Sequence, residues 1–228
     1  MPAFVVISGG EAGDFYVRQL LRAAAAGKLA TDRIVVVDRD PACAARQHRD
    51  PRVEFAEADW SEWLDRHLGT LGERDQLVPY HWAPHLLVDW LRRQAEGESL
   101  LASRGEAALP VFELPFERET KDGDRALSYA TWPCPPACIE PLLGPHTRGG
   151  KDWSLAGRLA AAPEGFDDAV VFRSLHLVHG VGTIPVADIH AARARVLALG
   201  GAGERRLLVA TASHCHGLAT SLTVRPRR

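Results

Sequence analysis

A chain of 228 residues with 27 basic and 29 acidic side chains, formal net charge −2, is long enough to bury a substantial core and lacks the one-sided charge of a nucleic-acid or anionic-membrane binder. No stretch reaches the roughly 18 uninterrupted apolar residues of a membrane span. The first residues lack a basic region followed by an apolar stretch and a cleavage site, which predicts a soluble cytoplasmic protein. Four cysteines are too sparse for a secreted disulfide scaffold and read as free thiols, metal ligands or redox groups.

Phe4 to Ile7 is a short apolar run ended by glycines, the pattern of a strand buried on both faces. From Asp14 the apolar positions Phe15, Val17, Leu20, Leu21 and Ala24 fall at helical spacing, and Gly27 lies where a helix stops. Ile34 to Val37, ending in Asp38, and Val53 to Phe55, ending near Asp59, continue as a second and third buried strand, and three such βα steps predict a parallel sheet. Ser61 is placed to cap a helix through Leu68, Leu77 to Tyr80 reads as a fourth strand, and Leu86 to Arg93 as a helix. Between Glu96 and Ala107 the pattern lapses, which sets a domain boundary there.

Beyond it, Val111 to Glu117 and Arg125 to Thr131 flank an Asp122-Gly123 pair and predict a β-hairpin. Residues 132–152 carry too many prolines and glycines for a regular element and predict an ordered loop or lid. Val170 to Val178 and Leu207 to Ala212 read as strands around a helix from about Val186 to Leu199, with Leu218 to Val224 as a last strand. The expected fold class is α/β, with a parallel-sheet domain over 1–97 followed by a smaller α+β domain over 108–228.

Ser8-Gly9-Gly10-Glu11-Ala12-Gly13, Val35-Val36-Val37-Asp38-Arg39-Asp40-Pro41 and the segment 53–59 resemble the Rossmann-type nucleotide-binding superfamily, and within it the TrkA-N-like NAD-binding domains. The resemblance covers about the first 95 residues. It implies a dinucleotide fingerprint with Ser8 at the first glycine position, in which Gly9 and Gly10 bind the cofactor and Gly10 lets the backbone approach it, Gly13 allows close helix-to-strand packing, and Asp38 hydrogen-bonds ribose hydroxyls. Asp59 would lie near the adenine end. Glu11 and Asp14 put two carboxylates where a pyrophosphate would meet backbone N–H groups, opposing it by about 1 kcal/mol each unless turned away or paired with Arg18. Those acids leave S-adenosylmethionine, a sulfonium cation without phosphate, as the alternative ligand. Arg39 keeps NADP open beside NAD.

Cys134 and Cys138 place two soft ligands on a stiff proline-rich loop. A zinc or iron-sulfur site would need partners from His214, Cys215 and His216, or from His146, His176 and His179. The 214–216 triplet can share one ion only if its strand has ended, and His176 with His179 would likewise need a turn, which His179-Gly180 can supply. The alternatives are a redox dithiol or simple packing. His81 and His85 follow the fourth strand, at the carboxyl edge where ligands of such folds bind, and are the candidate catalytic acid or base. The expected function is a small-molecule, NAD(P)-binding protein, an oxidoreductase if His81 or His85 is catalytic, with a homo-oligomer open. The alternatives are a methyltransferase-like protein, a non-enzymatic nucleotide sensor, and a metal-binding protein with a degenerate first domain.

Overall fold

The computed structural model of the chain describes residues 1–79, 85–130, 138–140, 150 and 153–227. In chain order the elements are β1 (Ala3–Ile7), α1 (Glu11–Ala25), β2 (Arg33–Asp38), β3 (Val53–Glu57), α2 (Trp60–His67), β4 (Gln76–Val78), α3 (Leu86–Gly97), β5 (Leu100–Arg104), β6 (Phe116–Glu119) and β7 (Arg125–Ser128). They continue as α4 (Leu155–Leu159), β8 (Asp168–Arg173), β9 (Leu175–Val178), β10 (Val181–Pro185), α5 (Val186–Gly201), β11 (Arg205–Ala212) and β12 (His216–Pro226). The described residues thus form a mixed α/β protein with two mixed sheets and five α-helices. None of these helices is long and apolar enough to cross a membrane.

The chain divides into two compact units. Unit 1 is Met1–Ala83 with Pro135–Ile139 and Leu175–His190; unit 2 is Pro84–Cys134 with Glu140–Ser174 and Ala191–Arg228. The sequence reading set its boundary inside 98–107 and made the second domain the smaller. In the structure α3 and β5 belong to unit 2, the larger of the two, while β9 and β10 return to unit 1. β5 explains the difference: its short Leu-Leu-Ala-Ser-Arg run lies within the Gly-, Ser- and charge-containing stretch read as a linker, yet it pairs antiparallel with β12, more than a hundred residues away, with Leu222 opposite Arg104.

Unit 1 is one sheet in the order β3-β2-β1-β4-β10-β9. Its first four strands are parallel, in the register Phe4 to Ile34, Ile34 to Val53 and Phe4 to Gln76. β10 runs antiparallel to β4 and β9 antiparallel to β10. All five residues of β1 are buried, as a central strand covered on both faces requires. On one face, Val17 and Leu20 of α1 pack with Phe4, Val6, Ile34 and Val36, joined by Val178 and Val181. Each fully buried Val or Leu contributes about 1.5–3 kcal/mol.

The connection from β2 to β3 was expected to be a βα step, but it holds only a 3-10 turn, Ala44–Gln47. Pro41 and Pro51 bracket it, and its apolar residues are too small to supply a helix with a core-facing stripe.

Unit 2 contains the sheet β6-β7-β12-β11-β8, with β5 also on β12. Only β11 and β8 are parallel among its pairs. Its core gathers Phe112, Leu127, Leu155, Leu159, Leu208 and Ala219. The Asp122-Gly123 turn forms as its residues predict, with Gly123 at φ 78°, although the first hairpin strand starts only at Phe116. The run read as one strand, 170–178, is two. β8 stays with β11 up to Ser174, whose N–H still donates to the Ala212 carbonyl, and β9 then pairs with β10 of the other sheet.

Candidate functional site

The turn after β1 gives its three fingerprint positions distinct jobs. Ser8, in place of the first glycine, takes the left-handed conformation at φ 82° while its N–H donates to the Val37 carbonyl at 2.9 Å. Gly10 opens α1 at φ −65° with no side-chain cap bonded to the helix. Among the described residues a Cβ on Gly10 would meet only Ser8 Oγ, at 3.6 Å. A Cβ on Gly13 would lie 1.8 Å from the Ser8 carbonyl oxygen, so α1 rests directly on the backbone of the turn. The first N–H groups of α1 and the positive end of its dipole therefore lie beside an open backbone face.

Gly9 faces the other way. A Cβ there would lie 2.4 Å from Cys43 Sγ, and the Gly9 carbonyl accepts from Ala45 N–H at 2.8 Å. The β2–β3 connection thus packs over Gly9 and leaves Gly10 uncovered. Burial pushes the Cys43 thiol pKa up, which keeps it protonated. Asp38 is buried; Oδ2 accepts from Gly9 N–H at 2.7 Å and Oδ1 from Asp40 N–H at 2.9 Å. It ties the end of β2 to the glycine turn. With about four lone-pair sites on a carboxylate, two remain for a ligand.

The two acids of the turn differ. Asp14 is buried, paired with Arg18 at 3.0 Å and with His48 Nε2 at 2.8 Å, so its charge is answered within the protein. Glu11 is exposed. Asp59 is the N-cap of α2, its Oδ1 accepting from Ser61 N–H at 2.9 Å and Glu62 N–H at 3.3 Å. The cap is therefore Asp59 and not Ser61, and the carboxylate assigned to an adenine is occupied by a helix end.

His81 lies outside the described residues. His85 immediately precedes α3 in unit 2, and its Nε2 is buried without a partner among the described residues. Burial, with the Arg104 charge adding to it, lowers its pKa to about 3. The ring is neutral in the folded protein and takes up a proton on unfolding below about pH 6.5. The associated stability is fully present above that pH and lost as pH falls toward 3. Between pH 7 and pH 5 the protein should lose about 2 kcal/mol through this group. Urea midpoints at the two pH values should converge in His85→Leu; an unchanged pH dependence in that variant contradicts the assignment.

The candidate metal ligands that lie among the described residues are not gathered at one point. Cys134 and His146 lie outside the described residues, and Cys138 is half-buried. His214 and Cys215 lie in the turn between β11 and β12, with His216 at the first position of β12, so the strand has ended where the triplet needed it to. Each member has a local role. His214 packs against Trp153 at 5.1 Å, the Cys215 carbonyl accepts from Tyr129 N–H, and His216 Nδ1 meets Ser128 Oγ at 2.8 Å. Among the described residues no group of three His, Cys, Asp or Glu side chains is gathered to hold a metal ion.

A groove of about 400 Å³ in unit 1 includes Arg33, Glu54, Trp63, His67 and Asp75 in its lining. Its charges are matched in place: Arg33 pairs with Glu54 at 2.9 Å, and Asp75 accepts from Ala3 and Gly72 N–H groups, both at 2.8 Å. A residue that the strand reading missed as a contributor to this unit is His179. The only cue in the sequence is the His179-Gly180 pair, and the turn it suggests is present, with both residues at positive φ.

A family model described as "Uncharacterized protein, C-terminal domain" (AF_1314_C) matches residues 86–225. No curated protein and no solved structure matches this chain.

Proposed function

We propose that this chain, which belongs to the AF_1314_C family, binds an adenosine-containing cofactor of the NAD(P) class through a Rossmann-like first unit. The observation that carries the reading is the division of labour at the turn. Ser8 makes the tight left-handed bend, Gly10 leaves its backbone face open, and Gly13 packs helix on strand. These are the three jobs of a dinucleotide fingerprint. The parallel order β3-β2-β1-β4 adds support, because β1 is followed by β2 on one side and β3 by β4 on the other, and the carboxyl end of such a central strand is where dinucleotides bind. In this reading Gly10 and the first N–H groups of α1 face the phosphates, Gly9 and Gly13 shape the turn, and Asp38 anchors it while keeping two acceptor sites toward a ribose. Pairing of Asp14 with Arg18 and His48 removes one of the two repulsions that phosphate would meet.

Glu11 favours a second reading. Its exposed carboxylate at the first position of α1 disfavours an added phosphate by about 0.3–1 kcal/mol and would attract the sulfonium of S-adenosylmethionine. Thermal denaturation with each ligand separates the two, since a ligand at a hundred times its Kd stabilises by about 2.7 kcal/mol. NAD+ or NADP+ should raise Tm more than S-adenosylmethionine does; the reverse order would move the assignment to the second ligand.

A further inference from the structure

We infer that His179 contacts the non-adenosine half of the ligand in the first unit. This inference depends on the nucleotide reading and extends it to a residue outside the fingerprint. β10 runs antiparallel to β4, with Pro185 opposite Gln76 and Ile184 opposite Leu77. Its first residue, Val181, therefore lies toward the carboxyl end of β4, and the turn before it stands at the same sheet edge as the glycine turn. Strands are spaced by about 4.8 Å, so β10, two strands from β1, is about 10 Å away and within the span of a dinucleotide. It lies on the β4 side of β1. A ligand crossing the carboxyl end of β1 with its adenosine toward Asp38 at the end of β2 directs its other half to this side.

The turn carries two further marks. His179 has φ 46° and Gly180 φ 78°; glycine adopts this conformation freely, whereas a histidine there is strained by about 1 kcal/mol or more. Its Nε2 is buried and has no partner among the described residues, a further penalty of about 1–3 kcal/mol that a ligand's hydrogen-bonding group would relieve. The turn is held in place on both sides, because Val178 and Val181 pack into the core beneath α1. His176, one strand further out and opposite Gly182, also has a buried unpartnered atom, Nδ1. Neither nitrogen is needed to hold the hairpin together. Asparagine or glycine would suit the backbone at 179 better, so the histidine is explained by its side chain.

Calorimetric titration of NAD+ and of ADP-ribose, which lacks the nicotinamide, into the wild type, His179→Asn and His179→Gly tests the inference. Both replacements tolerate the left-handed backbone, and Tm should not fall in either. The expected result is an approximately tenfold loss of NAD+ affinity in both variants, with ADP-ribose affinity kept within twofold. Wild-type affinity for both ligands in both variants would overturn the role of His179 and leave the nucleotide reading standing. Equal losses for the two ligands together with a lower Tm would make His179 purely structural and also overturn it. Absence of binding of either ligand to the folded wild type would overturn the nucleotide reading and this inference together.

Discussion

Replacing Arg104 by methionine should destabilise unit 2 by about 3–5 kcal/mol, the usual consequence of stranding one member of a buried ion pair. Arg104, on β5, donates from Nη1 to Asp89 Oδ2 of α3 at 2.6 Å and from Nη2 to Asp124 Oδ2 in the β6–β7 turn. Asp124 is 1% exposed. Without the guanidinium its carboxylate must stay charged in a poorly solvating place, protonate, or pull the hairpin turn open. Burial opposes the charge on Arg104, and the hydrogen bonds of Asp124 and Asp89 more than offset it, raising its pKa. Urea unfolding at pH 7 measures the loss. Arg104→Met/Asp124→Leu should recover most of it, since the fully buried carboxylate goes with the guanidinium, and Asp89, whose side chain is 24% exposed, keeps access to water. A single-variant loss under about 1 kcal/mol would mean that the carboxylate is reached by water.

Gly13→Ala is the second large effect, at about 3 kcal/mol or more, and it should fall on unit 1. The added methyl would sit 1.8 Å from the Ser8 carbonyl oxygen and 2.8 Å from its carbon. Both are backbone atoms of a turn that Ser8 N–H and the Asp38 carboxylate hold, so neither can rotate away as a side chain would. Relief requires lifting α1 from β1, which opens the contacts of Val17 and Leu20 with Phe4 and Val6. Gly10→Ala provides the contrast. Its φ of −65° suits any residue and its nearest neighbour is 3.6 Å away, so its melting temperature should stay within a few degrees of the wild type. Equal melting temperatures for the two alanine variants would contradict the packing role given to Gly13.

These contrasts also show what the sequence could and could not convey. β1, α1 and β2 were legible because a continuous apolar run and a 3.6-residue stripe are local signals, each carried by about five side chains. The hairpin turn at Gly123 was legible for the same reason. β5 was not, since its strand character comes from pairing with a segment near the other end of the chain, and the break at Ser174 was hidden because β8 and β9 share one apolar pattern while serving different sheets. At the site, the glycine spacing was visible. The attachment of Asp38 to Gly9 and Asp40, the use of Asp59 as a helix cap and the pairing of Asp14 with His48 depend on where carboxylates come to rest. His179 stands out only once its φ and its orphaned nitrogen are known.

The most direct test of the account is calorimetric titration of NAD+ into the wild type and into Gly10→Val, which fills the open face of the turn with a side chain the backbone accepts. Saturable one-to-one binding to the wild type is expected, with at least a tenfold loss in the variant and little change in melting temperature. Undiminished binding by Gly10→Val, or no binding by the folded wild type, would contradict the assignment of the glycine turn as the ligand site.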